Sequence, residues 1–409
     1  MVIPITPVPV GPGGVSGIPA KAMLPGAPVA LASLPPLSLY VHIPWCLKKC
    51  PYCDFNSHEL RGEAPEKDYV ALLVRDLEQS LPQVWGRRVY SVFFGGGTPS
   101  VFSAESIAEL MSAFRSRLTI APDAEVTLEA NPGTFEAAKF RAFRDAGINR
   151  LSVGIQSFDA ARLAAIGRVH DGDEARRAAR IAVETFERVN LDLMYALPGQ
   201  DLDGVLHDVR EALGYGSSHL SLYHLTLEPN TLFHRHPPAL PDDDAAAAMQ
   251  QAISDELGAA GFEHYETSAH ARPGQACRHN LNYWRFGDYL GIGAGAHGKV
   301  SFPDRIERQV RARHPAEYAK KVEAGDALVE RRDVAAADRV FEFMMNALRL
   351  TEGFEIATFT ERTGLSITAA MRAMQAAEAR GLLARDHVRV WPTELGRRFL
   401  NDLLELFLP

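Results

Sequence analysis

Between residues 37 and 260 the sequence alternates between short apolar runs and longer amphipathic ones, and this alternation limits the fold more than any other feature. Strands that alternate with helices at this spacing form parallel βαβ units with right-handed crossovers. We count six such units rather than eight, which predicts an α/β fold with an open, partial (βα)6 barrel. The predicted strands are Ser38–Ile43, Val89–Phe94, Glu125–Glu129, Arg150–Ile155, Asn190–Met194 and His219–Leu225. The predicted helices are Glu66–Leu81, Ala104–Arg117, Phe135–Asp145, Asp173–Arg188, Leu202–Leu213 and Asp242–Ala260.

The loop after the first predicted strand carries three cysteines, Cys46, Cys50 and Cys53, at C-x3-C-x2-C spacing. Three thiolates are one too few for a closed zinc or iron–sulfur site. If they hold a four-iron cluster, one iron keeps an open position where a small chelating ligand can bind. The alternative is an inert or weakly zinc-binding loop. The tight spacing, and the distance along the chain to the remaining cysteine, Cys277, favour the cluster.

Polar and glycine residues follow the other predicted strands, at the edge where parallel α/β sheets bind ligands. The Gly95–Pro99 stretch lets a ligand approach the backbone closely, although a plain tight turn would use the same residues. Glu129 and Gln156 end two strands, and Arg168 follows in a loop. Asp192 lies inside an apolar strand, where an acid needs a hydrogen-bonded partner. Each of these residues alone has a structural explanation, but together they predict a ring of polar groups at one barrel mouth.

Composition excludes several classes of function. The net charge of −8 gives no electrostatic case for a nucleic-acid partner. Four cysteines, three of them in one motif, are not a disulfide framework, and we therefore expect a reducing, cytoplasmic location. No apolar run is long enough to span a membrane, so we expect no transmembrane segment.

The two ends of the chain differ from this central part. Residues 1–36 are rich in proline, glycine and alanine, and we interpret them as a flexible or loosely packed extension. Residues 301–409 predict a separate helical domain whose last part reads helix, β-ribbon, helix, as in a winged-helix module. Its helices carry as many acids as bases, which favours a packing or partner-binding role over DNA binding.

Six motifs together resemble the HemN/HemW family of radical S-adenosylmethionine (SAM) proteins. They are YVHIPWC-x3-C-x2-C, FFGGGTPS, EANPG, GIQSF, IGRVH and DLMYALPG, and the similarity implies a radical SAM core domain over residues 37–300. By this resemblance Cys46, Cys50 and Cys53 bind a [4Fe–4S] cluster. The residues that the resemblance implies for the SAM region are Tyr40, Tyr52, Gly96, Gly97, Thr98, Glu129, Gln156, Arg168 and Asp192. Thr98 stands where many radical SAM proteins have a glutamate.

Two branches of this family differ at positions that the sequence contains. The coproporphyrinogen dehydrogenase branch carries a fourth cysteine, C-x3-C-x2-C-x-C, where this chain has Phe55. The haem chaperone branch has an HNxxYW pattern, which matches residues 279–284, HNLNYW. An imidazole beside aromatic rings suits a haem site, with His279 as iron ligand and Tyr283 and Trp284 packed on the porphyrin. A buried histidine in a turn is the structural alternative.

The resemblance therefore implies a haem chaperone that binds a [4Fe–4S] cluster, SAM and haem and delivers haem to acceptor haemoproteins. The alternative is an oxygen-independent coproporphyrinogen III dehydrogenase, which forms protoporphyrinogen IX by radical SAM oxidative decarboxylation. A further alternative is an interaction protein whose cluster is only structural or redox-active. We assign no catalytic residue. The sequence does not specify which haemoprotein accepts haem or whether the protein contacts membrane haemoproteins peripherally. It also leaves open whether SAM is cleaved, what the oligomeric state is and what Cys277 does.

Overall fold

A computed structural model of the protein describes residues 31–133 and 137–409. The strands are β1 (Leu37–Ile43), β2 (Trp45–Cys46), β3 (His58–Glu59), β4 (Arg88–Gly96), β5 (Thr119–Ala130), β6 (Arg150–Gln156), β7 (Arg188–Tyr195), β8 (His219–His224), β9 (Glu263–Glu266), β10 (Ala269–Ala271), β11 (Asp288–Ile292), β12 (His297–Ser301), β13 (Ile306–Arg311), β14 (Leu328–Asp333), β15 (Phe354–Glu355), β16 (Leu383–Arg385) and β17 (Arg389–Pro392). The helices are α1 (Glu66–Val84), α2 (Ala104–Arg117), α3 (Ala137–Asp145), α4 (Ala160–Ala165), α5 (Gly172–Thr185), α6 (Leu202–Gly214), α7 (Leu232–Arg235), α8 (Asp243–Ala259), α9 (Arg278–Trp284), α10 (Pro315–Glu323), α11 (Ala336–Ala347), α12 (Ile356–Thr363), α13 (Met371–Ala379), α14 (Glu394–Arg398) and α15 (Leu400–Glu405). Short 3₁₀ turns cover Pro99–Val101 and Ile367–Ala370.

The six predicted strands lie side by side in the predicted parallel arrangement. Strands β1, β4, β5, β6, β7 and β8 are neighbours in that order, and each adjacent pair is parallel. Strands such as β1 are buried on both faces, because helices cover one side and the barrel interior the other. The partial α/β barrel predicted from the sequence is therefore confirmed.

The predicted helices agree with the observed ones apart from their ends. Helix α5 begins at a capping box in which Asp171 and Glu174 satisfy each other's backbone amides, but it ends at Thr185. The prediction carried this helix to Arg188, which instead begins β7 and pairs with the buried Glu125 at 2.9 Å. Residues 135 and 136, the predicted start of the third helix, lie outside the described residues.

The sheet continues beyond the six parallel strands in a way that the sequence did not predict. Strand β11 pairs in parallel with β1, and β12, β13 and β14 follow as antiparallel strands. On the other side β10 and β9 add two more antiparallel strands, which makes twelve in the described part of the chain. The predicted domain boundary at residue 300 falls inside this extension, which runs to Asp333.

The C-terminal part forms a second core of its own. Helices α11, α12 and α13 pack with the three-stranded antiparallel sheet β15-β17-β16, as the winged-helix-like prediction requires. Leu31 is buried in the same core, so the described end of the predicted extension is packed; residues 1–30 lie outside the described residues. None of the helices in the described ranges is long and apolar enough to cross a membrane.

Candidate cluster and ligand site

The three cysteines of the predicted cluster site converge on one cleft at the barrel mouth. Cys46 lies in β2, just past the end of β1, and Cys50 and Cys53 follow in the next loop. Their cleft, counted together with its part open to solvent, has a volume of about 890 Å³. Besides the cysteines, its lining includes Tyr52, Phe55, Gly96, Gly97, Thr98, Glu129, Asn131, Ser152, Gly154, Gln156, Arg168 and Asp192. Eight of the nine residues predicted for the SAM region therefore surround the cysteines; Tyr40 does not line this cleft.

Hydrogen-bond donors point at the cysteine sulfurs. The Thr98 hydroxyl donates to Cys46 Sγ over 3.5 Å, and Asn131 Nδ2 donates to Thr98 Oγ1 at 2.8 Å. Arg168 Nη2 donates to Asn131 Oδ1 at 2.7 Å, and its Nη1 reaches Cys50 Sγ at 3.7 Å. A chain of donors thus runs from a guanidinium to a sulfur, an arrangement that stabilises thiolate charge.

The chemistry of the cysteines fits a multi-iron group. Burial raises the pKa of Cys46, and it raises the pKa of Cys53 to about 11, so a bound metal group would have to supply the positive charge that keeps these sulfurs ionised. No three cysteine, histidine or carboxylate side chains in residues 31–133 and 137–409 are grouped for a single metal ion.

The glycine loop after β4 needs its glycines. Gly96 has a φ of +119°, and a Cβ there would lie 2.8 Å from the ring of His42. A Cβ on Gly97 would lie 2.5 Å from the carbonyl oxygen of Trp45. The loop therefore passes directly beside the cluster segment and presents bare backbone to the cleft.

Two carboxylates face the cleft, Glu129 from β5 and Asp192 from β7, with β6 between the two strands. Burial, together with the charge of Asp192, raises the pKa of Glu129 to about 7. Glu129 also accepts the N–H of Gly96 at 3.3 Å. Asp192 accepts hydrogen bonds from Ser152 Oγ at 3.0 Å and Asn190 Nδ2 at 2.9 Å. Such carboxylates suit the amino and ribose hydroxyl groups of a nucleoside ligand.

Gln156 ends β6 in a strained conformation. Its φ is +69°, which is unusual for a residue with a side chain, and the register of β6 against β7 shifts between Gly154 and Gln156. Its buried Oε1 has no hydrogen-bond partner within the described residues. A buried acceptor held out of regular geometry at a cleft indicates a ligand-binding position.

A second cavity, of about 900 Å³ when its part open to solvent is included, adjoins the first. Phe55, Gly96 and Glu129 line both, so they form the boundary between the two. The second cavity is further lined by Tyr40, His42, Asp54, Asn56, His279, Tyr283, Tyr289, Gly295, His297 and Arg313. An aromatic chamber beside the cluster cleft is therefore present, and Tyr40 belongs to it.

His279 is fixed inside this second cavity. Its ring is buried, packs 4.8 Å from the ring centroid of Phe93, and has Nδ1 3.1 Å from Ser91 Oγ. Its backbone N–H donates to Glu125 at 3.1 Å. Burial lowers the pKa of His279 to about 4, so the imidazole is neutral near pH 7. Tyr283 lines the same cavity, with its ring 4.8 Å from that of Tyr289.

Trp284 and Cys277 line neither of the two cavities. Trp284 is buried outside the lining of both cavities, and the guanidinium of Arg349 lies 4.5 Å from its ring centroid. The structure thus does not bring Trp284 to the chamber that holds His279 and Tyr283. The Cys277 thiol lies 3.3 Å from Glu125, away from the cluster cleft, and burial raises its pKa to about 12.

Several residues of the site were not predicted as site residues. Asn131 connects Arg168 to Thr98, and its signal was its place two residues after Glu129 at a strand end. His42 accepts from the Tyr40 hydroxyl through Nδ1 and donates to the Asn56 carbonyl through Nε2, which ties β1 to the cluster loop. The sequence offered no signal for this contact.

Family comparisons match the two parts of the chain separately. The Radical SAM superfamily matches residues 40–212, and the HemN C-terminal domain matches residues 334–399. Among individual relatives, the heme chaperone HemW of Escherichia coli (strain K12) is 50% identical over 92% of this chain and 100% of its own length. The heme chaperone HemW of Haemophilus influenzae is 47% identical over 92% of this chain and 99% of its own length.

A solved structure has the same fold over most of its length. The radical SAM enzyme coproporphyrinogen III oxidase (HemN) of Escherichia coli aligns with a TM-score of 0.78 over 91% of this chain and 90% of its own. The sequence identity is 22%, so this likeness concerns the fold alone.

Proposed function

This chain belongs to the HemW branch of the HemN/HemW family of radical SAM proteins, and we propose that it is a haem chaperone that binds haem and passes it to acceptor haemoproteins. The observation that carries the proposal is the position of His279. A buried, neutral imidazole stands in an aromatic chamber next to the cluster cleft. Porphyrin is a large apolar disc with a metal at its centre, and such a chamber offers both ring packing and an axial nitrogen.

Cys46, Cys50 and Cys53 would hold a [4Fe–4S] cluster, and SAM would bind beside it. When bound, the cluster would supply an open iron that the amino and carboxylate groups of SAM would chelate. The chain's own contribution is the glycine loop at Gly96–Gly97 together with polar side chains around the cleft. The polar or ring-bearing residues proposed for SAM are Tyr52, Thr98, Glu129, Gln156, Arg168 and Asp192.

Haem would use the second cavity. His279 is the proposed axial ligand, and Tyr283 packs on the ring; Tyr40, predicted for SAM, lines the same chamber and is better placed to contact the macrocycle. Trp284, which the family resemblance places on the porphyrin, lies outside this chamber and packs under Arg349. Trp284 instead supports α9 from the side of the C-terminal domain.

Phe55 supports the chaperone over the dehydrogenase. It occupies the position of the fourth cysteine of the dehydrogenase branch and lines both cavities, so an aromatic side chain rather than a thiol stands at their boundary. The reduced thiols that the cluster needs fit a cytoplasmic location.

The test is a pair of assays on anaerobically reconstituted protein with SAM and an electron donor. We expect haem binding and transfer to an apo-haemoprotein, and no consumption of coproporphyrinogen III. His279→Ala should lower haem affinity and change the absorption spectrum of bound haem, because it removes the axial nitrogen. His270→Ala is the matched control, since His270 is equally buried but lines neither cavity. Decarboxylation of coproporphyrinogen by the wild type would overturn the proposal.

A further inference from the structure

Two pairs of side chains on adjacent strands hold the ring of His279. Ser38 on β1 is the register partner of Ser91 on β4, and Tyr40 is the partner of Phe93 two residues further along. Residues two apart on a strand share a face, so both pairs point to the same side of the sheet. The His279 ring lies across them, with Phe93 against its face and Ser91 Oγ at its Nδ1.

The hydrogen bonds continue past Ser91 to a fixed donor. Ser91 Oγ lies 2.7 Å from Ser38 Oγ, and Asn282 Nδ2 donates to Ser38 Oγ at 2.9 Å. The same Nδ2 donates to the carbonyl of Asp288 at 2.9 Å. Because a carbonyl oxygen only accepts, this second bond fixes which end of the Asn282 amide faces Ser38.

The fixed donor, Asn282, sets the direction in which the hydrogen bonds from Ser38 to His279 run. A hydroxyl has one proton to donate and two lone pairs to accept with, so these contacts can form in either direction, but both hydroxyl protons find an acceptor only if Ser38 donates to Ser91 and Ser91 donates to Nδ1 of His279. Nδ1 then accepts, and the single proton of the neutral imidazole is on Nε2. In the opposite direction Ser38 O–H would have no acceptor within the described residues.

A proton on Nε2 of His279 opposes the binding of iron at that nitrogen. Iron takes a ring nitrogen that carries no proton, and metal-bound histidines donate their other N–H to a partner. With Nδ1 held by Ser91, the nitrogen left for iron is Nε2. For Nε2 to bind, one proton must leave it for solvent, one must be taken up on Nδ1, and both serine hydroxyls must reverse. The ring is neutral before and after this exchange of protons, but the hydroxyl of Ser38 loses its acceptor.

We propose that Asn282, Ser38 and Ser91 are positioning residues that hold haem-free His279 in the Nε2–H tautomer and thereby weaken its bond to haem iron. The inference rests on the proposed haem site and deepens it. An unpaired buried hydroxyl lowers the affinity about tenfold. A carrier that must release its haem to an acceptor gains from an axial ligand that is restrained in this way.

The first test needs no haem. Two-bond ¹H–¹⁵N NMR of protein labelled at histidine nitrogen, assigned by His279→Ala, should show the Nε2–H tautomer for His279 in the haem-free protein. The Nδ1–H tautomer would overturn the inference. Because haem is absent, this result stands or falls apart from the proposed function, which the haem binding of His279→Ala decides.

The second test uses one substitution to reverse the direction of the hydrogen bonds between residue 282 and His279. Asn282→Asp replaces the donor to Ser38 by an acceptor, so the fully paired direction then ends in an N–H on Nδ1 that donates to Ser91. We expect the tautomer of His279 to switch and ferric haem to bind about tenfold more tightly. An unchanged tautomer in folded Asn282→Asp protein would contradict the inference.

The control separates the hydrogen-bond chain from the added negative charge. Ser91→Ala breaks the chain between Asn282 and His279 while the charge of Asp at position 282 remains. In the Ser91→Ala background, Asn282→Asp should leave haem affinity within about twofold, because no chain transmits the change. A tenfold gain in that background would assign the effect to charge and overturn the role of the serines.

Discussion

At the scale of single residues, the four cysteines are of two kinds. Cys46, Cys50 and Cys53 face one cleft and have side-chain donors aimed at their sulfurs. Cys277 is fully buried at the start of α9, where its thiol donates to Glu125. Exposure to the cleft, rather than chemical type, separates a ligand from a packed thiol.

The cysteine substitutions should therefore divide the same way. Cys46→Ala, Cys50→Ala and Cys53→Ala should each abolish an anaerobically reconstituted cluster of about four irons, measured by iron content and thiolate-to-iron absorption. Cys277→Ala should keep full iron content. An equal loss in Cys277→Ala would mean a closed, four-cysteine site and no open iron for SAM.

Asp192 offers a second test at this scale. Asp192→Asn keeps the shape of the side chain but removes its charge, so SAM affinity should fall by about tenfold or more, since a hydrogen bond to a charged group contributes about 1.5–3 kcal/mol. Isothermal titration of SAM into the reconstituted protein measures this. Asp203→Asn, an exposed acid in the first turn of α6, is the control and should leave affinity unchanged. Unchanged binding in Asp192→Asn would separate SAM from this cleft.

At the scale of elements, helix α1 holds the loop that closes the second cavity. Tyr69 and Asp76 are two turns apart and lie on the same face of the helix. The Tyr69 hydroxyl accepts the N–H of Ala294, and Asp76 accepts the N–H of Gly293. Asp76 also pairs with the buried Arg311 at 2.9 Å. The loop of residues 293–296, between β11 and β12, is thus held by a helix far from it in sequence.

Two acids on α1 give a matched comparison. Asp76→Asn should lower the free energy of unfolding by about 3–5 kcal/mol, because it leaves the buried charge of Arg311 without its partner. Glu78→Gln removes a half-exposed ion pair with Arg117 and should cost less than about 1 kcal/mol. Urea denaturation followed by circular dichroism measures both. Similar losses in the two variants would mean that the Asp76–Arg311 pair is not buried as described.

At the scale of the whole molecule, burial lowers the pKa of histidines throughout the fold. The pKa is lowered to about 4 for His42, His170 and His279, and to about 3 for His270. Both ring nitrogens of His270 lack a partner within the described residues, and its ring stacks 4.2 Å from that of His264. Such groups resist protonation only while the protein is folded.

The buried histidines should make the folded protein less stable at acid pH. Unfolded histidines take up a proton below a pKa of about 6.5 and the folded ones do not, so stability is complete above about pH 6.5 and falls as the pH drops toward 4. Each such histidine contributes a slope of about 1.4 kcal/mol per pH unit. His270→Leu should reduce the slope of urea stability between pH 6.5 and 5, and His207→Leu, at an exposed site, should not. An identical slope in wild type and His270→Leu would contradict the buried state of His270.

The sequence alone determined the partial barrel, and it predicted that Cys46, Cys50 and Cys53 share a cleft with most of the residues around them. Strand and helix periods are local properties, and the ends of parallel strands necessarily meet at one edge. Residues placed at those ends, such as Glu129 and Gln156, were therefore predictable as neighbours. Spacing within one loop likewise brought Cys46, Cys50 and Cys53 together.

Tertiary structure alone decided how the second cavity is built. Strand β11 joins the sheet beside β1, which carries α9 to the barrel interior and brings Ser91 against His279, 188 positions away. That same placement turns Trp284 out toward Arg349. No local period encodes which distant strand fills an edge, because the choice depends on packing and pairing energies summed over the whole sheet.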